Sequence, residues 1–195
     1  MTFRISSPGK RKVILLLKSD LWYNYSNVFA GIGGRYTIHY LGGNTVSEQF
    51  ARIREGIYKR YHLNPFVTLL KMKITDLEEG AAKMEMPVLE DMHTNLFNVA
   101  HGGALSALAD TVMGVVCATL RKKVVTLEMN LNYIRAAGPQ TAIRASGTLL
   151  HNGNRTIVAE AEIVDGANTL LLKARATFFV IGEFSFAPEE GQKPE

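Results

Sequence analysis

The sequence predicts an α+β domain in which a curled antiparallel sheet of about six strands surrounds one long central helix. Two observations carry this. From Ala104 to Leu120 the chain is apolar on every side of a helix, with Leu105, Leu108, Val112, Met113 and Val116 forming no single stripe. A helix that is hydrophobic all round is a buried one. On both sides of it the hydrophobic period is two, as in strands with one wet face. Two such runs precede the helix and four follow it, so the sheet must curl over the helix to cover it. Asp110 interrupts the apolar run, which falls short of the ~20 residues of a membrane span, and no membrane partner is expected.

Taken in order, the first helix starts near Ser47, a residue suited to capping. Phe50, Ile53, Ile57, Tyr58 and Tyr61 then recur at spacings of three and four, and Asn64-Pro65 stops the helix. From Phe66 the period becomes two: Leu70, Met72 and Ile74 alternate with Lys71, Lys73 and Thr75. Glu79-Gly80 turns the chain into Ala82, Met84 and Met86. Residues 87–94 read as loop. After the helix, Val125, Leu127, Met129, Leu131 and Tyr133 alternate with Thr126, Glu128, Asn130 and Asn132, which puts Thr126 on the wet face. Gly138-Pro139 turns into Ile143, Ala145, Gly147 and Leu149. His151-Asn152-Gly153-Asn154 is a strong hairpin signal, and Ala159, Ala161 and Ile163 follow it. Asp165-Gly166 turns into Leu170, Leu172, Ala174, Ala176 and Phe178. The predicted domain spans residues 46–182, with a polar tail over 183–195.

Residues 1–45 show no sustained period, and the glycine-dense stretch 31–43 reads as loop. This leader carries six basic groups against Asp20, while the other 150 residues hold 16 basic and 17 acidic groups. The net charge of +4 therefore belongs to the leader, and a nucleic-acid partner for the domain is not expected. Gly42-Gly43 can be written GGAGGN, which resembles a ribosome-binding site, and Val46 follows, a residue that GTG can encode, a codon that bacteria use as a start. We expect a mis-assigned start, with residues 1–45 outside the working protein; the competing reading is a basic arm for a partner. Cys117 is the single cysteine, so no intrachain disulfide forms, and it reads as a core residue of a cytoplasmic protein. The five histidines are scattered without zinc-like spacing, and no P-loop, dinucleotide fingerprint or GxSxG elbow occurs.

Two features of the helix segment carry chemistry. Asp110 lies two turns in, too far along to be an N-cap, and a buried carboxylate without a partner costs several kcal/mol. His101-Gly102-Gly103 marks the entry, where glycines admit another backbone or a ligand and first-turn N–H groups suit an oxyanion. The bland reading of that entry is a tight turn with His101 as the cap. Two costly features in one segment favour function over accident.

The run Asn95-x5-His101-Gly102-Gly103, then Asp110, followed by the strand from Val125 to Tyr133, resembles the hotdog-fold acyl-CoA thioesterases of the phenylacetate-pathway (PaaI) type. The likeness covers about 48–181. It implies hydrolysis of an acyl-CoA thioester to free acid and CoA without a further cofactor. Carried over by position, it implies that Gly102 offers its N–H to the thioester oxygen and that Asp110 is the nucleophile or the base for water. Asn95 would place water or thioester, and His101 would hold the helix entry. Thr126 stands where the family often has serine or threonine. Gly103, Asn154, Arg155 and Arg135 are the candidates for binding substrate, the arginines for the phosphates of CoA. A non-catalytic acyl-CoA sensor or scaffold is the alternative, and a hotdog dehydratase a weaker third. Gly102 and Asp110 are about 12 Å apart along one helix, too far to serve one carbonyl. A homodimer is therefore expected, and the family commonly forms a dimer of dimers.

Overall fold

The computed structural model describes residues 2–6, 13–16, 37–40 and 46–186. The chain divides at Val46 into two units. The first is a small antiparallel sheet of β1 (Thr2–Ser6), β2 (Val13–Leu16) and β3 (Thr37–Tyr40), in the order β2-β1-β3. The sequence of the leader shows no sustained period. Strands of four or five residues are too short to display a period. Within the stretch 31–43 only Thr37–Tyr40 is described, and it is strand rather than loop.

The second unit contains α1 (Val46–His62), α2 (Pro65–Leu69), β4 (Lys73–Glu78), β5 (Ala81–Pro87), α3 (Glu90–His93), α4 (Gly102–Thr119), β6 (Lys122–Tyr133), β7 (Ala142–Asn152), β8 (Thr156–Val164) and β9 (Leu170–Glu183). Its six strands are all antiparallel, in the order β4-β5-β7-β8-β9-β6, and the sheet does not close. This is the hotdog arrangement. The strands turn small residues toward α4, among them Ala145, Ala159, Ala161 and Ala176, all buried. At Gly147 the helix comes close: a Cβ there would lie 3.0 Å from Val116 Cγ2 and 3.2 Å from the Val112 carbonyl oxygen. Only glycine lets the helix lie so close to the sheet. By length and composition α4 is apolar enough to cross a membrane, yet most of it is packed inside the fold.

Three local readings change. Asn64-Pro65 stops α1 but also starts α2. Asn64 Oδ1 accepts hydrogen bonds from the Phe66 and Val67 N–H groups, at 3.0 and 3.3 Å, and Pro65 takes the first helical position. The period-two run therefore begins only at Lys73. The predicted loop 87–94 contains the one-turn helix α3. The packed region also outlasts 182. Phe184 and Phe186 stack with centroids 5.6 Å apart, Arg60 lies over both rings, and Phe186 fills the space a Cβ at Gly56 would need. This aromatic clamp fastens α1 to the end of β9. Ser47 is preceded by one helical residue, and its side chain lies outside the described residues.

Candidate active site

The entry of α4 is organised by His101. Its backbone, at φ −62° and ψ 135°, is the N-cap, and its Nδ1 accepts the Gly103 N–H at 2.8 Å. Its carbonyl accepts the N–H groups of Ala104 and Leu105. Gly102 alone in this first turn keeps an N–H without an acceptor among the described residues. It sits at the positive end of an 18-residue helix. The Tyr133 hydroxyl donates to the Gly102 carbonyl at 3.0 Å, and the phenol ring lies 3.1 Å from where a Cβ at Gly102 would be. The Gly103 N–H is thus already used, and Tyr133 is a neighbour of the entry that sequence reading placed only in a strand.

Asp110 is not the fully buried carboxylate of the sequence reading. Ala107, Asp110, Thr111 and Gly114 form a partly exposed stripe, so α4 is not covered all round within one chain. Asp110 accepts a hydrogen bond from the Thr126 hydroxyl at 2.8 Å, on Oδ1. Simple alternation along β6 would point Thr126 away from the helix. A β-bulge prevents this: Thr126 pairs with Phe178 and Glu128 with Thr177, so Leu127 is the extra residue. The bulge reverses the parity of the strand. Thr126 before it and Met129 and Leu131 after it all face α4, while Val125 and Leu127 are exposed. Asp110 and Thr126 open onto a cavity of about 260 Å³ that Tyr61, Gly114, Phe178 and Phe184 also line.

The remaining nominated residues are dispersed. Asn95 Oδ1 accepts the N–H groups of Phe97 and Val99 at 2.9 and 3.4 Å, so in this chain Asn95 shapes the loop before α4. That loop also hangs on His93, which is fully buried. Its Nδ1 accepts the Leu89 N–H at 3.0 Å and its carbonyl accepts the His101 N–H at 2.7 Å. Burial holds the His93 imidazole below its ordinary pKa, and its Nε2 has no hydrogen-bond partner. Nothing in the sequence singled it out among five histidines. Arg135 is exposed beyond the far end of β6, its guanidinium 3.4 Å from the Leu170 carbonyl. Asn154 and Arg155 are exposed in the β7–β8 turn. Beside that turn, Lys122 donates to Asn152 Oδ1 at 2.6 Å and to the Gly153 carbonyl at 2.8 Å, and it also lines the cavity. Sequence reading passed over Lys122. Cys117 is buried, and its thiol is pushed up to about 12, as befits a core residue. Among the described residues no three His, Cys, Asp or Glu side chains are grouped to hold a metal.

A curled antiparallel sheet on one central helix, with a carboxylate facing out of that helix, defines a hotdog protein, and known proteins narrow the class. The Thioesterase superfamily pattern matches residues 97–172. A putative esterase of Archaeoglobus fulgidus is 30% identical over 137 residues, covering 70% of this chain and 86% of its own. The 1,4-dihydroxy-2-naphthoyl-CoA hydrolase of Escherichia coli is 32% identical over 119 residues, 59% of this chain and 85% of its own. Among solved structures, a hypothetical thioesterase of Streptococcus pneumoniae with coenzyme A superposes with a TM-score of 0.61 at 27% identity, covering 65% of this chain and 98% of that one. The E. coli PaaI protein gives a TM-score of 0.65 at 23% identity, over 68% and 96%, and shows the shared fold. The chain belongs to the thioesterase superfamily, and it is a thioester hydrolase.

Proposed function

We propose that this protein hydrolyses acyl-CoA thioesters to the free acid and CoA, at a site each of whose halves comes from a different chain of a homodimer. The observation that carries the reading is the Thr126–Asp110 pair at 2.8 Å, facing a cavity from a helix whose Gly102 N–H has no acceptor. The names of the E. coli hydrolase and of the S. pneumoniae structure with coenzyme A support CoA thioesters as the substrate class.

In this mechanism the thioester oxygen takes the Gly102 N–H, and one such fixed donor is worth roughly 10²–10³ in rate. Asp110 attacks the carbonyl carbon directly or takes a proton from the water that does. On direct attack the C–S bond breaks, CoA leaves as the thiolate, and a water then hydrolyses the anhydride between the acyl group and Asp110. On water attack the C–S bond breaks and the same products form in one addition and elimination. The Thr126 hydroxyl holds one carboxylate oxygen and leaves Oδ2 for the reaction. No cofactor is needed.

Two chains are needed for a geometric reason. Asp110 lies beside Thr126, in the first half of β6, and Gly102 beside Tyr133, its last residue. That strand is a twelve-residue sheet edge with Val125, Leu127 and Tyr133 exposed. A long apolar edge of this kind invites pairing with another chain. Pairing β6 with its copy about a two-fold axis between Met129 and Asn130 sets Thr126 opposite Tyr133 of the partner subunit. Asp110 then faces Gly102 of the partner subunit, and the arrangement occurs twice. Lys122, Asn154 and Arg155 sit at the Asp110 end of that edge, where they offer charge to the phosphates of CoA. Arg135, beyond the Gly102 end, reaches the same site only from the other chain. A further pairing of dimers is what the family resemblance implies.

The test is CoA release from a panel of acyl-CoA thioesters. Wild-type protein is expected to turn over part of the panel, Asp110→Asn to lose about a thousandfold or more in kcat, and Thr126→Ala to lose about tenfold. Thioester binding without any release would make the protein a sensor, and full activity of Asp110→Asn would remove the acid from the mechanism.

A further inference from the structure

Behind the cavity at Asp110 lies a second one of about 540 Å³, between α1, α2 and the β4–β5 hairpin, lined by apolar groups that include Val67, Met72, Ile74 and Met86. Among the described residues Tyr61 is the single residue that lines both cavities. We propose that Tyr61 is the residue that sets the length of acyl group the enzyme accepts, as the wall between the acyl pocket and an apolar cavity the substrate does not enter. The inference rests on the thioesterase reading above.

The wall is built from both sides. Gly114 lies one helical turn past Asp110 on α4, and a Cβ there would be 4.0 Å from the Tyr61 hydroxyl oxygen. That is ordinary contact distance, so the phenol reaches across to α4 and bounds the pocket on this side. Behind the phenol, α1 is held in place. Phe186 occupies the space over Gly56, and Arg60 lies 5.5 and 5.8 Å from the centroids of Phe184 and Phe186. Tyr61 therefore stands on a clamped helix rather than a loop. Burial raises the pKa of its hydroxyl, with Cys117 and Asp110 adding to the effect, so the wall stays neutral. The space of about 260 Å³ at Asp110 is one protomer's share of a site that a second chain completes, and the Tyr61 phenol bounds it on the α1 side. Removing the phenol would add the second, larger and mostly apolar space.

The experiment is a chain-length profile, kcat/KM from acetyl-CoA to palmitoyl-CoA, for wild type, Tyr61→Ala and Tyr61→Phe. Wild type is expected to favour the short end. In Tyr61→Ala the ratio of lauroyl-CoA to butyryl-CoA should rise by about tenfold or more, since each methylene newly accepted in an apolar pocket is worth roughly that. Tyr61→Phe keeps the wall and should keep the profile. A merely structural role would lower activity at all lengths alike, leaving the ratio unmoved, and that result would overturn the proposal. If Tyr61→Ala does not fold, Tyr61→Leu tests the same shift with less volume removed. An inactive wild type across the whole series would refute the thioesterase reading itself. An active wild type with an unmoved ratio in both folded variants would refute the role of Tyr61 alone.

Discussion

His93 shows how one side chain supports the site without touching it. Its ring accepts the Leu89 N–H and its backbone fixes His101, so a neutral imidazole underlies the loop that delivers the helix entry. Because burial lowers its folded pKa beneath that of the unfolded chain, the unfolded state binds more protons just below pH 6.5. Stability is therefore fully present above that pH and falls as pH drops toward the folded value. Thermal unfolding between pH 7 and pH 5 should show this decline, with a slope of up to about 1.4 kcal/mol per pH unit from this group. His93→Asn, which keeps an acceptor but cannot titrate, should flatten that part of the profile. An unchanged slope would mean another group controls it. At this scale the sequence was only partly legible. Asp110 stood out because a carboxylate in an apolar helix is expensive. Its partner Thr126 was reached only through the family resemblance, because a bulge leaves no mark on simple alternation.

Among the elements, α4 and the strands beneath it were legible from periodicity, which reports faces and not distances. How closely they pack is decided by small residues, and Gly147 is one point of close approach. Gly147→Ala would place a Cβ 3.0 Å from Val116 Cγ2 and force helix and sheet apart. The expected cost is about 1–3 kcal/mol, read as a lower melting temperature. An equal or higher melting temperature would show that the interface gives way freely. The short helices α2 and α3 were not legible, since a single turn carries no period. Asn64-Pro65 illustrates the ambiguity: the same pair that ends one helix caps and opens the next. The bulge at Leu127 belongs here too, because its effect is to turn an edge strand into a holder for Asp110.

For the molecule as a whole, the proposed site is shared between chains, because Asp110 lies beside Thr126 and Gly102 beside Tyr133 at separate places along one edge strand. Gly102 and Asp110 can both be picked out of the sequence, and their separation along one helix is the argument for the shared site proposed above. The second cavity and its Tyr61 wall were not legible, since they depend on α1 lying against α4 and on the Phe184–Phe186 clamp. The shared site can be tested by chain mixing. Asp110→Asn removes the acid. Gly102→Pro removes the N–H while suiting the fold, because proline is favoured at the first helical position and His101, at ψ 135°, already has the backbone that precedes a proline. The Tyr133 ring must yield slightly, which its exposed side chain allows. Each variant alone should be folded and inactive. Dimers carrying one chain of each, isolated through two different affinity tags, should regain about half the wild-type turnover, since one of their two sites is intact. Mixed dimers as inactive as their parents would contradict a site made of Asp110 from one chain and Gly102 from the other.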